Sequence, residues 1–188
     1  MKQFSTTLPD EAERHKLLKS PLTGEGLILL FEAGLIWLTT NQEYVNALNV
    51  FPVPDGDTGT NMVLTMQAGF AEADSKRSKH AGEMAKTFAH GALMGARGNS
   101  GVILSQIWRG FSRALDGHAT VDPQLLTKAL QGARDTAYRG VVRPVEGTIL
   151  TVIKDMTTAA EGASKTLSSL SDTLVTLVEA ADISVQNT

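Results

Sequence analysis

Phe51-Pro52-Val53-Pro54-Asp55-Gly56-Asp57-Thr58-Gly59-Thr60-Asn61-Met62 is the stretch on which the fold class turns. Asp55-Gly56 comes closest to a hairpin signal, but neither flank alternates with period two. Pro52 and Pro54 lack amide donors and restrict the residues before them, so the approach to Asp55 is extended and not helical. A helical pattern follows at once. The stretch therefore reads as a turn that feeds a helix.

Working outward, every periodic segment is helical. Upstream, Thr23-Gly24-Glu25-Gly26 opens a segment in which Leu27, Leu30, Phe31, Leu35 and Leu38 recur at spacings of three and four. A short helix near Asn41–Leu48 follows. Downstream, Gly59 to Ala73 carries Met62, Leu64, Met66 and Phe70, and Ala81 to Leu93 carries Met84, Phe88 and Ala92. Val102, Ile103, Ile107, Trp108 and Phe111 mark a helix to about Leu115. Another starts near Pro123 and ends at Gly140. Val145-Glu146-Gly147-Thr148 opens the next, and a last one covers Leu167 to Val185. Residues 161–166 read as a connector. Residues 1–22, with Pro9 and Pro21, read as a polar extension ahead of a domain over residues 23–188. Trp37, Trp108 and the methionines sit at helical spacings and are expected in the core. The fold expected is all-α, an antiparallel up-and-down array of about eight amphipathic helices.

Composition narrows the function. At 188 residues, 42% hydrophobic and 20% charged, the chain is an ordinary globular one. A net charge of -3 argues against a general nucleic-acid binder, which needs a basic face. The absence of cysteine removes disulfides, thiolate metal sites and a cysteine nucleophile. The longest apolar stretch, near Gly26 to Leu38, is broken by Glu32 and too short for a membrane span. Without a signal-peptide pattern at the N-terminus, a cytoplasmic location is expected.

Three motifs carry chemistry. Asp55 and Asp57 flank Gly56, whose backbone can turn sharply enough to aim both carboxylates at one cation. Mg²⁺ takes one or two carboxylates plus phosphate oxygens and waters. Thr58, Gly59, Thr60 and Asn61 then open a helix, whose first amides attract anions. The competing reading is an Asp-capped helix after a turn, which needs one aspartate only. In the second motif, Gly95-Ala96-Arg97-Gly98-Asn99-Ser100-Gly101, glycines precede Ser100 at a helix start. It suits a phosphate cradle with Arg97 as counter-charge, or equally a tight helix–helix turn. The third, Arg143-Pro144-Val145-Glu146-Gly147-Thr148, offers Arg143 to an anion, or a cap and an ion pair. The histidines form no metal-ligand spacing.

Together these segments resemble the nucleotide-binding (DhaL-like) domain of the dihydroxyacetone kinase superfamily, and most of all the N-terminal domain of bacterial fatty acid kinase. The likeness runs from about Gly24 to Thr188. It implies a closed helical barrel with ATP or ADP at one end, and a pair of Mg²⁺ ions held by acidic residues of the first loop. Asp55 and Asp57 match two of three aspartates, and the third position falls on Asn49, so Mg²⁺ alone is expected to bind poorly. Thr58, Gly59, Thr60 and Asn61 match the phosphate segment. Gly98, Asn99 and Ser100 match the glycine-rich loop, and Gly140, Thr148 and Ile149 the adenine side. The implied reaction passes the ATP γ-phosphoryl group to a fatty acid or to dihydroxyacetone. A separate subunit or domain presents the acceptor, either a DegV-like fatty-acid-binding protein or a dihydroxyacetone-binding subunit. A non-catalytic regulatory nucleotide module is the other reading. Superfamily members continue past Thr188 with a further helix and a second Asp/Gly loop. The chain is therefore expected to be a truncated domain, with an apolar strip that favours a homodimer.

Overall fold

The computed structural model describes residues 21–50, 53–163 and 169–187, and these form eight helices and one two-residue strand pair. Most of the polar extension, Phe51, Pro52 and the end of the connector lie outside the described residues.

α1 (Gly24–Thr40) is capped by Thr23, whose Oγ1 accepts from the Gly26 amide, and it buries Leu27, Ile28, Phe31 and Leu35. α2 (Gln42–Ala47) buries nothing of its own. α3 (Thr58–Ser75) buries Val63, Met66 and Phe70. α4 (Ala81–Met94) is capped by His80 and buries Met84 and Phe88. α5 (Gly98–Ala114) buries Leu104, Ile107 and Phe111. α6 (Pro123–Arg139) has Asp122 as its cap and proline in its first turn, where the missing amide costs nothing. α7 (Ile149–Ala163) and α8 (Leu170–Gln186) complete the set. The strands, β1 (Leu22–Thr23) and β2 (Thr120–Val121), pair antiparallel and tie the start of α1 to the α5–α6 connection. Periodicity does not reveal a ladder this short.

The expected all-α bundle is what the chain forms. Consecutive helices pack on one another from α3 to α8, and α1 lies across α3 and α4. An aromatic cluster holds the middle. Phe31 of α1 stacks on Phe88 of α4 at 4.0 Å between ring centroids, and Trp108 of α5 meets both edge-on at 5.2 and 5.0 Å. The Trp108 indole Nε1 donates to Met66 Sδ on α3 at 3.2 Å, so one cluster joins four helices.

Some residues expected inside are outside. Trp37 is 73% exposed: it lies on the flank of the core-facing stripe Leu27, Phe31, Leu35 and Leu38, near the C-terminal end of α1. Met94 is exposed at the end of α4, and Leu64 and Val102 also face outward. Gly34, mid-helix in α1, has nothing within 4 Å of a built Cβ. Gly34→Ala is therefore expected to stabilise the fold by about 0.5–1 kcal/mol, read as a higher midpoint in urea.

Candidate functional site

The first and second motifs meet because α3 and α5 start side by side. Gly98 has φ +58, and a Cβ there would sit 2.2 Å from Asn61 Nδ2. Only glycine allows both that backbone angle and that approach, so the loop before α5 nests against the first turn of α3. Gly56 takes φ +66, the turn expected between the two aspartates.

A cavity of about 770 Å³ opens over these helix starts, within the usual range for small-molecule sites, roughly 300–1,000 Å³. Its lining includes Asn49, Asp55, Asp57, Thr58 and Asn61 from the first motif and Gly98, Asn99 and Ser100 from the second. Gly140, Thr148 and Ile149 join them from the α6–α7 connection. Apolar side chains that the motifs did not single out form the walls, among them Leu48, Met62, Ile103 and Val141.

Three expected residues stand differently. Gly59 is buried against α2, where a Cβ would lie 2.3 Å from the Gln42 carbonyl oxygen. The Thr60 amide donates to Asn46 Oδ1 at 3.1 Å, and its hydroxyl accepts from Gln42 and Asn46. Both residues anchor α2 to α3. Arg97 is absent from the lining, and its Nη1 donates to the neighbouring Ala96 carbonyl. Arg143 does line the cavity.

Most helix starts carry a side-chain cap, but those of α2, α3 and α5 do not, and of these three α3 and α5 open onto the cavity. α1, α4, α6 and α8 each begin under a side-chain cap, from Thr23, His80, Asp122 and Ser169. Thr148 Oγ1 accepts from Leu150 at the start of α7. Asp57 precedes α3 and Arg97 precedes α5, and neither side chain makes a capping bond. The amides of Thr58, Gly59, Gly98, Asn99 and Ser100 have no acceptor among the described residues. Unpaired amides at two helix starts, with the positive ends of two dipoles, are groups of the kind that attract anions.

Both aspartates are exposed beside these amides. Asn49 braces them. Its Nδ2 donates to Asp55 Oδ1 at 2.9 Å and to the Val53 carbonyl at 2.7 Å, and its Oδ1 accepts from the Thr58 hydroxyl. No group of three or more His, Asp or Glu suited to a metal exists among the described residues. Two carboxylates and one amide oxygen suit a Mg²⁺ that arrives with phosphate oxygens, not one caged by protein alone.

The α6–α7 connection, which walls the other side, is held by Glu146. Its carboxylate accepts from Tyr138 at 3.0 Å, Thr151 at 3.0 Å and Lys154 at 2.5 Å. The lysine, then the two hydroxyls, hold the Glu146 carboxyl below the usual range, and Glu146 holds the Lys154 ammonium above its own. Burial, then Glu146, pushes the Tyr138 hydroxyl up, so it stays a donor. A carboxyl with a lowered pKa contributes above its unfolded value and is lost as pH falls through the lowered one. The brace is thus complete at neutral pH and fails only in acid. Glu146→Ala is expected to raise amide exchange over residues 141–148 several-fold with the core unchanged, measured by hydrogen–deuterium exchange.

The DAK2 domain family matches residues 52–188. The chain belongs to the DAK2 domain family. This makes it a dihydroxyacetone-kinase-like nucleotide-binding domain, in a family whose members generally bind ADP or ATP. α1 and α2 precede the matched region, yet Leu27, Phe31 and Leu35 belong to the same core. Over 151 residues the DAK2 chain is 48% identical to an uncharacterized protein of Staphylococcus epidermidis and 47% identical to one of Staphylococcus aureus. Those matches take in 80% of this chain but only 27% and 28% of the relatives, so it spans little more than a quarter of their length. No described helix is long and apolar enough to cross a membrane.

Proposed function

We propose that this DAK2 domain binds Mg²⁺·ATP in the α3/α5 cavity and serves as the nucleotide-binding part of a kinase. The observation that carries the reading is the pair of uncapped helix starts converging on one cavity beside Asp55 and Asp57. Bound Mg²⁺ would offset phosphate charge, which is most of what phosphoryl transfer needs. Asp55, Asp57 and the Asn49 carbonyl oxygen would hold it. The amides of Thr58, Gly98, Asn99 and Ser100 would orient the phosphates, with Asn61 beside them. Gly140, Thr148 and Ile149 would flank the base against the apolar wall. Arg143 replaces Arg97 as the arginine placed to steady the transferring group, since Arg143 lines the cavity.

The acceptor in this reading is a fatty acid or dihydroxyacetone, presented by another domain or subunit. The length of the staphylococcal relatives supports such an arrangement. The alternative reading is a non-catalytic module that binds nucleotide to regulate a partner. ATP turnover with and without the acceptor-binding region separates the two, because a regulatory module leaves ATP intact in both. The binding step is tested by thermal shift. Mg·ADP at a hundred times its Kd is expected to add about 2.7 kcal/mol, a rise of roughly 5–11 °C in Tm for a chain of this size. No shift at millimolar Mg·ADP contradicts the reading.

A further inference from the structure

A second recess, of about 390 Å³, lies between α4 and α5 and is not part of the nucleotide cavity. Lys86, Ala89 and His90 reach it from α4, Arg109 and Arg113 from α5, and Asp116 from the turn just after α5. Each set falls at helical spacing on one face. Along α5, thirteen residues separate Ser100 from Arg113, roughly 20 Å at 1.5 Å per residue.

Charge marks the recess out. Three permanent cations, Lys86, Arg109 and Arg113, face one carboxylate, Asp116, in a chain whose net charge is -3. None of the three cations makes an ion pair among the described residues. His90 is engaged elsewhere, with its Nδ1 2.8 Å from Glu72 Oε2. Arg109 is half-buried, and its Nε is the one buried side-chain polar atom without a hydrogen-bond partner among the described residues. A covered guanidinium N–H without an acceptor is costly. The Nε and Nη hydrogens of arginine form a fork that matches two oxygens of a phosphate. Long cationic side chains often rest their stems on apolar surface with their heads in water. That habit accounts for Lys86 and Arg113, but not for a covered Nε.

We propose that the α4/α5 recess is a second anion site, for a small organic phosphate. A phosphate monoester carries nearly two negative charges at neutral pH, a match for three cations against one carboxylate. Arg109 supplies the fork, Lys86 and Arg113 close over the phosphate from either helix, and Leu93 with Ala89 gives the organic part an apolar seat. The proposal does not rest on the nucleotide reading.

The test follows the Arg109 Nε–H resonance of the ¹⁵N-labelled chain while inorganic phosphate or phenyl phosphate is titrated at constant ionic strength against chloride. A saturable shift at Arg109 is expected, with tighter binding of phenyl phosphate. The exposed pair Lys86→Ala/Arg113→Ala is expected to raise that Kd at least tenfold and to leave Mg·ADP affinity unchanged. Equal shifts with chloride, no saturation at Arg109, or an unaltered Kd in the double variant would overturn the site. Equal affinity for the two phosphates would overturn its assignment to an organic ligand.

Discussion

Asp57→Asn is expected to weaken Mg-dependent ADP binding on the order of a hundredfold, about 2.7 kcal/mol, with Tm unchanged in the absence of nucleotide. Both halves follow from the start of α3. Asp57 occupies the N-cap position but makes no capping bond, so its carboxylate adds little to the helix. It is exposed, so no buried partner is orphaned when the charge goes. What the substitution removes is one of the two carboxylates available to a cation at the cavity mouth. Asp55→Asn differs in a telling way. Asp55 Oδ1 accepts from Asn49, which also receives the Thr58 hydroxyl. Losing that charge should loosen the loop as well as the metal site. Calorimetric titration of ADP with and without Mg²⁺ measures both variants. A loss of about 1 kcal/mol of stability in Asp57→Ala, the cost of removing a helix cap, would return Asp57 to a structural role.

Gly110→Ala is expected to cost about 3 kcal/mol, the upper end for overpacking, and to lower Tm by roughly 6–12 °C. α5 and α6 form the most extensive helix pairing among the described residues. They cross with Gly110 against Gly132, and a Cβ on Gly110 would sit 2.1 Å from the Gly132 carbonyl oxygen and 2.7 Å from Thr136 Oγ1. A carbonyl oxygen is backbone and cannot rotate away, so the helices must separate. That would disturb the start of α5 as well, so nucleotide affinity should fall with stability. Gly132→Ala, whose Cβ would meet the Gly110 carbonyl oxygen at 2.8 Å, should be milder. Thermal denaturation of the two variants side by side gives the ranking.

Much of the fold was legible because its signals are local. Leu27, Phe31 and Leu35 announce α1, and Pro123 announces the start of α6. Non-local features were not. Nothing in the strings around Gly110 and Gly132 says that those glycines touch, and an isolated glycine in a helix reads as a weakness until its neighbour is known. Trp37 misled because spacing to nearby apolar residues does not say where the buried stripe ends. The same division holds at the cavity. Asn49, Asp55, Thr58, Gly98 and Thr148 come from three separated segments, and their common cavity follows from α3 and α5 starting together. Thr60 carried the right chemistry in the right motif, yet Gln42 and Asn46 engage it, a pairing set by the short helix α2. The alternative of a cap and an ion pair for the third motif named no partner for Glu146, which pairs with Lys154. The Glu146 brace depends on Tyr138 and Lys154, eight residues away on either side, on α6 and α7.

The central claim is that two uncapped helix starts and an aspartate pair make one Mg–nucleotide site. Isothermal titration tests it most directly, in three runs on the intact chain: ADP with Mg²⁺, ADP with chelator, and Mg²⁺ alone. The site predicts saturable one-to-one binding in the first run, at least tenfold weaker binding in the second, and no tight binding in the third. ADP affinity that ignores Mg²⁺, or tight Mg²⁺ binding without nucleotide, would contradict it.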